Sequence, residues 1–366
     1  MRFVFDVDDT ICIHNDRDYI NAVPIQDMID IINNLYNNGH HISLYTARGQ
    51  NSCKGDIDLI KEKNQDILLQ WLEKHNVHFN ELIFGKPLGD FYVDDKAVDL
   101  PTFRQLKIEQ LKGGSGCIVT KFGNTVVKEG QDKIQAERIK REYEWYKKIN
   151  KLGYNITPNV TSFVVNKLYM EYIDGELLCN RCTRTDIKNV INLMSPLKRH
   201  YNINYNFDDY IDNLLSHLRS IDQNIYMRIF CVTDKVINKL SDMEREIYFS
   251  NCFAHGDLSL SNIIKRKEGG YCLIDPNYKD DYSSVILDYA KLRFSLNGYE
   301  YMFGLTKNKS SKRLLKYFDK QLIKNCENLE LIKLLEITHW MRLFKYKDEQ
   351  YHKMIADKIL ELWRTK

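Results

Sequence analysis

The chain has 366 residues, enough for two or three domains with cores of their own. Its 53 Lys and Arg against 50 Asp and Glu leave a net charge of +3, too close to balance to mark a polyanion-binding surface, and no run approaches the ~20 apolar residues of a membrane span. The nine cysteines follow no disulfide-like spacing and Met1 leads at once into a strand-like run, so the expectation is a cytoplasmic protein without a signal peptide.

Residues 1–108 alternate strand-like and helix-like patterns. Arg2-Phe3-Val4-Phe5 is a β-rich run that ends in Asp6, Asp8 and Asp9. Pro24 is expected to open a helix with Ile25, Met28, Ile29, Ile32, Leu35 and Tyr36 on one face, stopped by Asn37-Asn38-Gly39. His41-Ile42-Ser43-Leu44-Tyr45 is the next strand and runs into Thr46-Ala47-Arg48-Gly49. A second helix over 56–75 buries Ile60, Ile67, Leu68, Trp71 and Leu72. Leu82-Ile83-Phe84 then precedes Gly85-Lys86-Pro87, and Phe91-Tyr92-Val93 ends in Asp94-Asp95. Such alternation predicts a parallel, Rossmann-like sheet with its site outside the carboxyl ends of the strands.

Carboxylates at Asp6, Asp8 and Asp94 repel one another unless a cation neutralises them, and a divalent metal is the economical choice. A carboxylate can also attack phosphorus to give an aspartyl-phosphate, while a hydroxyl such as Thr46 and a cation such as Lys86 hold the phosphoryl oxygens. These residues resemble the haloacid dehalogenase superfamily of phosphatases, whose four motifs are recognisable here in order. The resemblance implies Asp6 as nucleophile and Asp8 as general acid/base. It places Thr46 and Lys86 on the phosphoryl group, and Asp6, Asp8 and Asp94 around Mg2+. The Thr46-Ala47-Arg48-Gly49 and Gly85-Lys86-Pro87 segments look most like members from bacterial surface-polysaccharide clusters. Short spacers predict a small flap over 11–23 and no large cap. Asp9, Cys12, His14 and Lys96 read as structural, flap or surface residues. Arg48 stands open between substrate contact and a structural salt bridge, and His40, His41, His75 and His78 match no metal-site spacing.

A boundary is expected between 103 and 112, where composition shifts to Lys112-Gly113-Gly114-Ser115-Gly116. Backbone N–H groups of Gly114, Ser115 and Gly116 can approach phosphates closely. Strands over 117–122 and 125–128, joined at Gly123-Asn124, form a hairpin whose second strand ends in Lys128. A helix over 135–152 offers Glu142, with Glu137 second, as a partner for that lysine. Residues 166–172 read as a strand and hinge ending in Glu171 and Tyr172. The chain beyond is mostly helical over 186–220 and 310–365, with Trp340, Tyr346 and Trp363 as residues of a pocket or of the core. Cys179 and Cys182 form a lone C-x-x-C with no second pair to complete a zinc site.

The strongest chemical signal is His255-Gly256-Asp257 with Asn262 five positions on, followed by the buried run Tyr271-Cys272-Leu273-Ile274 and Asp275. That is the Asp-to-Asn spacing of a kinase catalytic loop followed by a second carboxylate at a strand end. It resembles the aminoglycoside phosphotransferase and choline kinase family, with Leu287-Asp288-Tyr289 as the next motif and Pro276 as a departure. The resemblance implies Asp257 as catalytic base, Asn262 and Asp275 as Mg2+ ligands, Lys128 with Glu142 on the ATP phosphates, and Glu171 and Tyr172 at the adenine.

The expected fold is therefore α/β. A Rossmann-like phosphatase domain spans 1–108. A bilobal α+β protein-kinase-like domain spans 109–366, with its N-lobe at 109–172 and a helical C-lobe at 173–366. The function expected is a bifunctional enzyme that uses Mg2+ in both domains and ATP in the second. It would act on a small phosphate ester and a small hydroxyl acceptor such as a sugar, polyol or amino alcohol, in surface-polysaccharide precursor synthesis. The alternative keeps one activity and makes the other domain regulatory, with homo-oligomerisation left open. A nucleic-acid end-processing enzyme is a third reading, against which stand the charge balance and the missing P-loop Gly-Lys-Ser/Thr.

Overall fold

Three short parallel strands organise the first part of the chain. Arg2–Asp6 (β1) pairs with His41–Thr46 (β4), which pairs in turn with Glu81–Phe84 (β5). Between β1 and β4 lie a small antiparallel hairpin, Cys12–Ile13 (β2) with Val23–Pro24 (β3), and the helix Gln26–Asn37 (α1). Ile57–Lys74 (α2) connects β4 to β5, and Leu100–Gln105 (α3) follows. The computed structural model describes all residues except 15–17, 88–96, 106–107, 112–115, 200–206, 220, 245–252, 278–283, 310, 326 and 366. Contacts divide the chain into Met1–Lys107 and Ile108–Lys366.

The helices form where apolar periodicity calls for them. α1 buries Met28, Ile29, Ile32 and Leu35, and α2 buries Ile60, Leu68, Trp71 and Leu72. Asp56 caps α2, accepting from the N–H groups of Asp58 and Leu59. One expectation fails. Pro24 does not open α1 but pairs with Cys12 in the hairpin, while the Ile25 N–H donates to the Ile11 carbonyl. The hairpin captures the proline first, so the helix begins at Gln26. The predicted strand over 91–93 lies outside the described residues. Phe103 of α3 meets Phe5 (5.3 Å) and Phe3 (6.2 Å) edge-on and closes that helix onto the sheet.

The second unit opens with an antiparallel sheet of five strands. They are Ile108–Leu111 (β6), Ile118–Phe122 (β7), Thr125–Glu129 (β8), Val160–Val164 (β9) and Lys167–Glu171 (β10), in the order β6-β7-β8-β10-β9. The helix Lys133–Lys151 (α4) follows β8 and packs on the sheet. Gly123, at φ 57°, makes the left-handed step of the β7–β8 turn. Gly175–Leu177 (β11), Ile263–Arg266 (β12) and Tyr271–Leu273 (β13) form a second, smaller antiparallel sheet.

Helices make up most of the remainder: Arg184–Met194 (α5), Phe207–Leu218 (α6), Gln223–Asp242 (α7), Val285–Leu296 (α8), Tyr299–Met302 (α9), Lys312–Lys324 (α10), Leu329–Arg342 (α11) and His352–Arg364 (α12). α8 and α11 are buried nearly all round and pack on each other, with Phe294 and Trp340 ring centroids 4.7 Å apart. Trp340 thus belongs to the core. Asp186 ties this region to the small sheet. It accepts from Tyr271 Oη (2.7 Å), Lys265 Nζ (2.9 Å) and Thr183 Oγ1 (2.6 Å). Burial opposes its charge, but those donors prevail and hold its pKa down to about 2.

Candidate active sites

In the second unit, β8 aims Lys128 inward between two carboxylates. Its Nζ lies 2.6 Å from Glu142 Oε2 on α4 and 2.7 Å from Asp275 Oδ1, just past β13. The side chains of Lys128 and Glu142 are only 4% and 2% exposed, so little water screens the pair. Burial works against the Lys128 charge, yet Glu142 and Asp275 outweigh it and raise its pKa. Burial raises the Glu142 carboxyl, with Lys128 opposing. Tyr146, one turn on in α4, donates its hydroxyl to Glu142 Oε1 (3.0 Å) and accepts the Asp275 N–H (3.0 Å). Asp275 itself sits at φ 55°, an uncommon conformation for a residue with a Cβ, and the following Pro276 already disfavours the ordinary helical alternative. The helical spacing of α4 gives no sign of this bridge, because Tyr146 also matches its apolar face.

The loop after Phe253 places Asp257. His255 is buried and neutral, its pKa pushed down to about 4 by desolvation. Its Nε2 donates to the Ile274 carbonyl (2.9 Å), which leaves Nδ1 to accept the Asp257 N–H (3.3 Å). The buried Asp288 of α8 accepts the N–H groups of His255 (2.6 Å) and Gly256 (2.8 Å). Burial lifts its pKa to about 7 against the pull of those two donors.

Asp257 is 38% exposed at its side chain and meets Lys291 Nζ at 2.9 Å. Crowding by protein atoms opposes its charge, but Lys291 wins and lowers the pKa. Asn262 Nδ2 donates to the Asp257 carbonyl (2.8 Å) and to Oδ2 (3.2 Å). Lys291 was not identified from sequence. The signal was there, a cation set in the apolar run of α8 one turn after Asp288.

The remaining predicted nucleotide residues are placed unevenly. Gly114 and Ser115 lie outside the described residues, and Gly116 takes φ 74°. The Glu171 and Tyr172 N–H groups already donate to the carbonyls of Asn159 and Asn124, both at 2.8 Å. An adenine edge would have to be met by carbonyls there or by the residue that follows. Tyr346 is exposed and edge-on to His217, and Trp363 lines a separate surface cavity of about 420 Å³. Cys179 and Cys182 are free thiols lining another cavity of about 280 Å³.

In the first unit, Asp6 leaves the end of β1 and pairs with Lys86 Nζ. Thr46, at the end of β4, is buried. Its Oγ1 accepts the Arg48 N–H (3.0 Å) and its carbonyl accepts the Lys86 N–H (3.1 Å). Gly85 supplies the left-handed backbone, at φ 92°, that leads from β5 into Lys86.

Asp8 is gripped by Arg48, from Nε at 3.0 Å and Nη2 at 2.8 Å. Cys12 Sγ (3.7 Å) and His14 Nε2 (3.7 Å) also face Asp8, and Tyr19 covers the guanidinium at 4.3 Å. The flap residues Cys12 and His14 therefore stand beside Asp8. Lys86 and Arg48 neutralise Asp6 and Asp8, a role that charge repulsion alone had assigned to a metal. Asp94 and Asp95 lie outside the described residues. His40, His41, His75 and His78 do not converge: His40 meets the Met1 amino group, His41 Glu81, His75 Trp71 and His78 Tyr36.

Among the described residues no three His, Cys, Asp or Glu side chains gather about one point. Mg2+ needs fewer, since it keeps waters and substrate phosphates as ligands. Asn262 and Asp275 suit it as oxygen donors on adjoining segments, with the Asn262 Nδ2 turned to Asp257.

No protein-family model and no curated protein sequence matches the chain. Solved structures do. A structural-genomics target from Vibrio cholerae is 31% identical over 29% of this chain and 89% of its own, with a TM-score of 0.28. A choline kinase from Cryptosporidium parvum is 14% identical over 71% of this chain and 89% of its own, with a TM-score of 0.48. An ADP-bound aminoglycoside phosphotransferase is 16% identical over 70% and 92%, with a TM-score of 0.49.

Proposed function

We propose that the second unit is an ATP- and Mg2+-dependent kinase for a small-molecule hydroxyl, and that the first hydrolyses a phosphate monoester. The observation that carries the kinase reading is the buried Lys128–Glu142 pair reaching Asp275, with Asp257 on a loop secured by Asp288. Lys128 would hold the nucleotide phosphates, as Glu142 fixes its ammonium. Asp257 would orient the acceptor hydroxyl and take its proton as the oxygen attacks the γ-phosphorus and the bond to the β–γ bridging oxygen breaks, releasing ADP. Lys291 would steady that carboxylate. Asn262 and Asp275 would hold Mg2+, which when bound neutralises charge on the phosphates. His255 has both ring nitrogens engaged and acts as scaffold.

In the first unit, Asp6 would attack phosphorus while Thr46 and Lys86 hold the phosphoryl oxygens. Asp8 would give the leaving oxygen its proton and recover one from the water that cleaves the aspartyl-phosphate. Asp6, Asp8 and Asp94 remain the proposed Mg2+ set there. Kinase and phosphatase in one chain avoid wasting nucleotide if they act at different positions or on successive intermediates, as in preparing a sugar or polyol phosphate for a surface glycan.

The two-pronged hold of Arg48 on Asp8 favours a second reading, in which the first unit binds phosphate esters without turnover. Full-length Asp6→Asn and Asp257→Asn decide between them. In the bifunctional enzyme Asp6→Asn abolishes phosphate release and spares ATP-dependent transfer, and Asp257→Asn does the reverse. No phosphate release from any wild-type monoester leaves a kinase alone.

A further inference from the structure

We infer that the acceptor carries an acid group, a carboxylate or a phosphate, which seats on Lys347 while the acceptor hydroxyl lies at Asp257. This rests on the kinase reading and names its substrate class. The ammonium groups of Lys291 and Lys347 stand over one ring, Tyr299, at 5.6 and 5.8 Å from its centroid. Lys291 also lies 4.7 Å from the Phe294 centroid, and Lys347 lies 4.3 Å from that of Phe303. Two cations therefore share an aromatic platform beside the catalytic carboxylate, separated by no more than those two distances end to end.

Their partners differ. Lys291 has Asp257 at 2.9 Å. No ion pair to a carboxylate forms at Lys347 among the described residues, and its neighbour Asp348 is exposed to water that screens it. The backbone of Lys347 is fixed, its N–H on the Leu343 carbonyl (3.0 Å) and its carbonyl taking His352 Nε2 (3.0 Å). Partial burial lowers its pKa, Asp348 resists, and Lys291 lowers it further, so an anion arriving there relieves an unfavourable field. The other ionisable groups nearby do not supply that anion. His339 is held neutral by burial, with Lys291 and Arg342 adding to the effect. The buried Glu300 takes the Ser295 hydroxyl.

The same platform argues against an amine acceptor. Aromatic faces are what would receive a quaternary or primary ammonium, and here the protein's own lysines already stand over Tyr299 and Phe303. A cationic acceptor would meet the Lys347 charge beside Asp257, whose own carboxylate Lys291 already engages. An acceptor of a few carbons with a hydroxyl at one end and an acid at the other fits the separation.

The test uses full-length Asp6→Asn protein, so that the first unit cannot remove a newly added phosphate. Matched acceptors are compared: glycerol, glycerate and glycerol phosphate; glucose, glucuronate and glucose 6-phosphate; choline and ethanolamine. Products are identified by phosphorus NMR. Acid-bearing members should exceed their neutral parents at least tenfold in kcat/KM, and the carboxylate and phosphate arms show which acid is used. In the same background Lys347→Met should raise the acceptor KM at least tenfold with the KM for ATP within twofold, and Lys347→Arg should restore it. Transfer that favours a neutral or amine acceptor, or an unchanged acceptor KM in Lys347→Met, overturns the inference and leaves the kinase standing. Absence of Lys128-dependent Mg·ATP binding by calorimetry instead removes the kinase reading itself.

Discussion

Replacing Lys128 by methionine keeps most of the side chain's volume and removes the charge between Glu142 and Asp275. At 2.6 and 2.7 Å each contact carries about 6 kcal/mol of Coulomb attraction at an effective dielectric of ~20, most of it offset by desolvation. What the variant loses is set by what it leaves behind, a buried Glu142 carboxylate without a cation, and such losses run to about 3–5 kcal/mol. The pH dependence is the sharper signature. Burial raises the Glu142 carboxyl, and without Lys128 it rises further. A carboxyl whose folded pKa lies above its unfolded value binds its proton more tightly in the native state, so stability falls as pH rises through that interval. Lys128→Met should therefore be destabilised more at pH 8 than at pH 5, measured by urea unfolding. Lys128→Met with Glu142→Gln should be less destabilised than the two single changes added together. A loss below about 1 kcal/mol that does not vary with pH, or strict additivity of the pair, would refute the reasoning.

Other outcomes follow from the same geometry. Asp288→Ala strands the N–H groups of His255 and Gly256 at about 1–3 kcal/mol each. It should lower kcat for transfer more than tenfold while calorimetry shows Mg·ATP affinity unchanged. Asp186, held at about 2 against an ordinary 3.8, contributes about 2 kcal/mol by linkage, present in full above about pH 5 and lost as pH falls from about 4 to 2. Asp186→Asn should flatten that acid limb of the stability profile. Gly85→Ala puts a Cβ on a left-handed backbone at φ 92° and should shift Lys86. It is expected to destabilise the first unit by about 1–3 kcal/mol and to lower phosphate release more than transfer.

Much of this was legible because periodicity and strand-end chemistry are local signals. Apolar spacing located α1, α2 and α4, and a Gly-Asn turn with β-branched flanks located the β7–β8 hairpin. Residues whose significance comes from a distant partner were harder to see. Arg48 reads alike as a substrate contact or a salt bridge until Asp8 is beside it. Lys291 lies in an apolar helix and gains its role only where α8 passes Asp257. Tyr146 matches the apolar face of α4, and only its hydroxyl, between Glu142 and the Asp275 N–H, distinguishes it. Pro24 shows the opposite case: a sound local preference for a helix start yields to hairpin pairing with Cys12.

The Asp257 loop is recognised by its surroundings chiefly through its main chain. Asp288 takes two of its amides, the Ser295 hydroxyl takes the Leu260 N–H at 2.8 Å, and the His255 carbonyl accepts the Asn277 N–H at 2.9 Å. The carboxylate's position is thus written into the path of the loop more than into its lettering. Ser259 and Ser261 bond to each other, whereas Ser295, far along the chain, holds the loop's main chain at Leu260. A change behind the loop, at Asp288 or Ser295, therefore reaches the Asp257 carboxylate without touching it.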